Sequence, residues 1–227
     1  MSPLTLIFLV PLLTALMLVF VPAREVRALR GLTLVGTGVP LLLAVLTFAT
    51  FNNAPLGPGT IADLNLNSDS HPSEPPEDAP TAVFLEYQNK YKFTEHHDWM
   101  PTLGISYHVG VDGINVGLLL MGALVAFAAV CCARDIDRRV KEFHILLLLM
   151  TGGILGAFMS LDIFVMYFLH ELALVPTFIM IGVWGHGQEK NYAAFKITLY
   201  LSIGALLALA GLILLYTQVG AHTFNLL

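Results

Sequence analysis

Six runs of apolar residues separated by polar segments set the pattern of this chain: 4–21, 29–51, 111–133, 143–159, 163–183 and 192–219. Each is near the roughly 20 residues that a helix needs to cross about 30 Å of hydrocarbon. The pattern predicts an all-α, polytopic membrane protein with six transmembrane helices. It also predicts three parts. Residues 1–51 hold the first two helices, 52–110 form a long polar outer loop, and 111–227 hold the other four helices. Within the loop, residues 67–80 are dominated by Ser, Pro, Asp and Glu, a composition that cannot bury a core. Residues 82–92, with Phe84, Leu85, Tyr87 and Tyr91, fit a short amphipathic helix lying on the outer surface. Trp99-Met-Pro places an aromatic side chain at interface height.

Composition agrees with lipid as the solvent. Hydrophobic residues make up 56% and charged residues 12%, against about a quarter charged in soluble domains. The net charge of −5 averages two unlike regions. Half of the acidic residues lie in the long polar segment. The cations gather in three short loops, with Arg24, Arg27 and Arg30 in the first, Arg134, Arg138, Arg139 and Lys141 in the second, and Lys190 in the third. If the helices alternate, these loops share one side, which the positive-inside rule makes cytoplasmic. Both termini and the long loop then lie outside. The first apolar run lacks a positive leader and a small-residue cleavage site, so it is expected to be a retained helix.

Several chemistries are not encoded. Cys131 and Cys132 are adjacent, which strains a disulfide, and two cysteines do not make an iron–sulfur or structural zinc site. They read as small apolar residues near a helix end. There is no phosphate-binding loop, no Gly-x-Gly-x-x-Gly and no haem signature. There is no basic stripe for nucleic acid. His71, His96 and His97 lie in the loop without a scaffold that would make them metal ligands.

Glu171 is the sharpest candidate, because it lies in the middle of the fifth run. A carboxylate at that depth costs several kcal/mol and persists when it faces protein or a water-filled path. A medium of low dielectric favours the neutral acid, which makes Glu171 a natural proton-binding site. The alternative is a structural carboxylate bonded to a neighbouring helix. Pro176, five residues on, frees a backbone carbonyl, as in broken helices that line polar paths and also in plain packing kinks. Lys196 lies in the sixth run, near its cytoplasmic end. It can snorkel to the interface, or it can form a relay with Glu171, directly or through water. His170 reads mainly as a packed histidine, and Asp162 and Asp112 read as helix caps.

Three motifs carry a resemblance. They are 101–115 (PTLGISYHVGVDGIN), 168–178 (FLHELALVPTF) with Gly182-Val-Trp-Gly185, and 193–200 (AAFKITLY). In order and spacing they are similar to the antiporter-like, proton-translocating subunits of NADH–quinone oxidoreductase (respiratory complex I), the subunit M or chain 4 family. The resemblance covers the six helices and leaves 65–98 unmatched. It implies a key proton-carrying glutamate at Glu171 and a lysine of the sixth-helix motif at Lys196. It implies no cofactor on this chain, with NADH, flavin, iron–sulfur clusters and quinone in partner subunits. It also implies other membrane-arm subunits as partners, in a bacterial inner membrane or an energy-transducing organelle membrane. The family continues past a sixth helix with a lysine-bearing seventh helix and a second repeat, which this sequence lacks. The expectation is therefore a split or truncated subunit that a companion chain completes. The rival readings are a subunit of a cation/proton antiporter or membrane-bound hydrogenase complex, and a non-transporting scaffold.

Overall fold

The fold is that of a computed structural model, which describes residues 3–53, 91–100, 102 and 104–218. Six long helices form it: α1 (Pro3–Phe20), α2 (Val26–Thr50), α3 (Asn115–Cys132), α4 (Val140–Met159), α5 (Ile163–Trp184) and α6 (Lys190–Gln218). All six are long and apolar enough to cross a membrane. The expectation of a six-helix polytopic protein is thus borne out. Apolar side chains lie on every face of these helices, and many remain exposed, as Leu16, Phe20, Val125, Val175 and Leu207 do. An outward face of that kind is stable only in lipid or against more protein.

Helices α2, α4 and α6 start two or three residues earlier than the apolar runs alone suggested. α2 takes in Arg27 and Arg30, α4 takes in Lys141, and α6 begins at Lys190. Long cationic side chains can end a helix inside the interface because their stems lie on apolar surface while their heads reach water. These heads also tie the loops together. The Lys141 ammonium donates to the Val19 carbonyl at 2.7 Å, Arg30 donates to the Ile136 carbonyl at 3.1 Å, and the Trp184 indole donates to the Arg138 carbonyl at 2.8 Å. The three basic loops therefore form one basic face.

The opposite face corrects the expectation for the polar segment. It carries an antiparallel hairpin of β1 (Lys92–Met100) and β2 (Ile105–Val111), with His97 opposite Tyr107 and Asp98 opposite Ser106. Val111 belongs to this strand, and helix α3 starts four residues later than expected. Gly104 supplies the left-handed turn, with φ 66°. Lys92 opens β1 and is not the end of a helix. Residues 67–80 and most of 82–92 lie outside the described residues.

Asp162 seats the hairpin on the bundle. It is fully buried. One carboxylate oxygen accepts from the Phe164 and Val165 amides and caps α5, as expected of it. The other accepts from the Ser106 amide of β2 at 2.8 Å. The Leu161 amide adds a bond to the His108 carbonyl at 2.7 Å. Asp112 likewise caps α3 through the Ile114 and Asn115 amides.

α4 is the most buried span, and its glycines explain why. A Cβ at Gly153 would meet the Leu169 carbonyl of α5 at 2.7 Å, and one at Gly152 would meet Leu12 of α1 at 2.6 Å. Two helices thus close on α4 from different sides, as small residues allow in membranes.

Two outcomes are expected. Asp162→Ala should lower stability by about 3 kcal/mol, since charge-assisted bonds and a helix cap are lost together. Asp162→Asn should recover part of it. Thermal unfolding in detergent, with hydrogen exchange at Ser106, checks both. Gly153→Leu should cost about 1–3 kcal/mol by overpacking and lower the yield of folded protein.

Candidate functional site

α5 presents Glu171 thirteen residues before Trp184, about 20 Å in from the basic end at 1.5 Å per residue. The helix is apolar around it, with Leu169 and Ala173 buried. The carboxylate oxygen Oε1 is buried and has no hydrogen-bond partner. The His170 Nδ1 lies 3.8 Å away, beyond hydrogen-bonding range. The Tyr167 hydroxyl, one turn earlier, is close enough to interact with the carboxylate. A buried oxygen without a donor is a costly arrangement for a polar group.

His170 corrects an expectation. Its side chain is 61% exposed, so the described helices do not pack it. The ring lies on an exposed side of α5, with Nδ1 turned toward Glu171. Pro176 is buried inside α5. Its missing amide leaves the Leu172 carbonyl, next to Glu171, without its helical donor. Thr177 meanwhile donates to the Ala173 carbonyl at 2.9 Å.

Lys196 is exposed on α6, with its ammonium 5.7 Å from the centre of the Tyr192 ring. α6 packs mainly on α5, and they approach where Gly182 faces Ala194. Ala194 is the buried residue of α6. Lys196 follows it by two residues, about 200° round the helix, so it faces away from α5. Glu171 precedes Gly182 by eleven residues, which returns it to within about 20° of the same stripe. Glu171 therefore faces α6, while Lys196 does not face α5. Their depths also differ by about 13 Å. The structure does not bring the two site residues into contact.

Sequence reading missed a second polar cluster on the hairpin face. Thr5 of α1 donates to Glu95 and accepts from the Tyr107 hydroxyl at 2.9 Å. His97 Nε2 lies 3.4 Å from Glu95, and its ring stacks on Tyr107. Burial pushes the Tyr107 hydroxyl above its ordinary range, and nearby Glu95 adds to this against the opposing bond from Thr5. Tyr107 thus stays a donor near neutral pH. His96 packs edge-on against His108. The cysteines are free, with Cys132 exposed at the end of α3.

Comparison with known proteins bears out the resemblance read from the motifs. Residues 160–227 match the family model described as NADH:quinone oxidoreductase/Mrp antiporter, transmembrane. The chain is 35% identical over 151 residues to NADH-quinone oxidoreductase subunit M of Rickettsia bellii, covering 63% of this chain and 29% of that one. It is 29% identical over 217 residues to an NAD(P)H-quinone oxidoreductase chain 4 of Picosynechococcus, covering 95% of this chain and 34% of that one. Its fold matches a chain of respiratory complex I from Thermus thermophilus with TM-score 0.69 and 24% identity, over 98% of this chain and 38% of that chain. The chain spans about a quarter to a third of the length of the relatives it matches.

The separation of Glu171 from Lys196 has a direct test. In a double-mutant cycle of Glu171→Gln and Lys196→Ala, the coupling in stability should stay below about 0.5 kcal/mol. A direct ion pair would give more.

Proposed function

We propose that this chain is a membrane-arm subunit, in the manner of subunit M, of a proton-translocating NADH–quinone oxidoreductase, and that Glu171 carries the proton. The observation behind this reading is the buried, partnerless oxygen of Glu171 in an apolar span. An ionisable side chain at this depth of a membrane span marks a path for protons or ions. Lys196 tunes that exchange through water or through groups beyond α6, since it does not face α5.

The rest of the reading follows from charge and exposure. The basic face lies on the cytoplasmic side, or its equivalent in an organelle, and the hairpin and both termini lie outside. The membrane is a bacterial inner membrane or, in the alternative, an energy-transducing organelle membrane. α6 buries little but Ala194 among the described residues, which suits a helix awaiting further protein. The partners are other membrane-arm subunits. This chain binds no cofactor, and NADH, flavin, iron–sulfur clusters and quinone act in partner subunits. Translocation is its share of the reaction, without redox chemistry of its own.

The second reading, a subunit of a cation/proton antiporter or membrane-bound hydrogenase complex, is favoured by one observation, since the matching family model spans both oxidoreductase and antiporter subunits. Co-purifying subunits decide between them. Flavin- and NADH-binding partners support the first, and nickel–iron partners or neither support the second.

In membrane vesicles holding the assembled complex, Glu171→Gln should slow proton uptake at least about tenfold. Lys196→Ala should slow it less. Unchanged pumping in Glu171→Gln, read with a pH-sensitive dye, would remove Glu171 from the proton path and leave the scaffold reading.

A further inference from the structure

The basic face contains a cavity of about 300 Å³ between α2, α3 and α4. Arg30, Gly31, Leu34, Val130, Ala133, Arg134 and His144 line it, so every charged group on its wall is a cation. The protein answers this charge only in part. Arg30 donates through Nη2 to the Ile136 carbonyl and lies 3.7 Å from Asp137, whose side chain is almost fully exposed. Its Nε is buried without a partner. Arg134 makes no hydrogen bond or ion pair with the described residues. The His144 ring is buried, with Nδ1 donating to the Val140 carbonyl. That bond leaves Nε2 as the free ring nitrogen.

We propose that this cavity binds the phosphate of an anionic glycerophospholipid. The depth of the cavity selects a lipid over a soluble anion. Arg30 lies four residues into α2, about 6 Å below its end, which is the height of a headgroup. Leu34 lies one turn deeper and Val130 faces it across the cavity wall, which suits the start of an acyl chain. Basic pockets between helices on this side of a membrane hold such headgroups, and planar guanidinium groups suit phosphate oxygens. The lipid would staple α2 to the loop between α3 and α4, which Arg30 alone spans through Ile136. This inference is independent of the proton path through Glu171.

The test uses the full chain, purified in detergent with the subunits that accompany it and stripped of lipid. Phosphatidylglycerol, phosphatidylcholine or inorganic phosphate is then added. Thermal stability and native mass spectrometry are read. Phosphatidylglycerol should raise the unfolding temperature and remain bound in the gas phase. Phosphatidylcholine and inorganic phosphate should do neither. Arg134→Gln, which disturbs no bond in the described structure, should weaken phosphatidylglycerol binding on the order of tenfold. Arg30→Gln should weaken it at least as much. Equal stabilisation by inorganic phosphate would identify a soluble-anion site and overturn the lipid assignment. Phosphatidylglycerol binding that is unchanged in Arg134→Gln would place the lipid elsewhere and overturn the site.

Discussion

The buried carboxylate of Asp162 holds together two parts of the chain that are far apart in sequence. One oxygen takes the free amides at the start of α5, and the other takes the Ser106 amide of β2. A charged group buried this completely persists only when its lone pairs are answered. Here backbone donors answer them, and the Ser106 hydroxyl adds a longer contact at 3.4 Å. The hairpin is thereby fixed against the junction of α4 and α5, and the Val109–Ser160 bridge extends its pairing. The start of α5, and with it the height of Glu171, is set from this point.

Packing in the bundle follows from a different constraint. Lipid offers apolar side chains no reason to leave it, so helix association depends on close fit. α4 supplies that fit with Gly152, Gly153 and Gly156, against which Leu12, Leu169 and Phe8 rest. The polar groups are consequently pushed to the two ends. Arginine, lysine and the Trp184 indole stitch the loops at one end. Threonine, tyrosine, histidine and carboxylates do so at the other. Glu171 is a carboxyl group in the middle of a span, and this gives it its interest.

The geometry around Glu171 separates two roles that the sequence had placed side by side. The acid looks along the α5–α6 seam, and the lysine looks outward from α6. An exposed Lys196 and a helix with little more than Ala194 buried are two signs of one condition. Both leave the outer surface of α6 uncovered among the described residues. The chain thus places an acid in the apolar middle of α5 and a lysine on the exposed side of α6.

The sequence alone determined the six helices, since a run of about 20 apolar residues has one stable form in a bilayer. It also determined the shared basic face, because the cations of three loops fall on the same side of alternating spans. The caps at Asp112 and Asp162 and the isolation of Glu171 in an apolar run were likewise legible, for each depends on local neighbours. Tertiary structure alone decided the rest. β1 is a polar strand without an alternating pattern, and its partner β2 is buried on both faces, so only long-range pairing and the Asp162 seat make the hairpin. The exposure of His170 and the outward turn of Lys196 depend on which face of α5 and of α6 touches its neighbour. That choice is made by Gly182 against Ala194, a contact between small residues that hydropathy does not register.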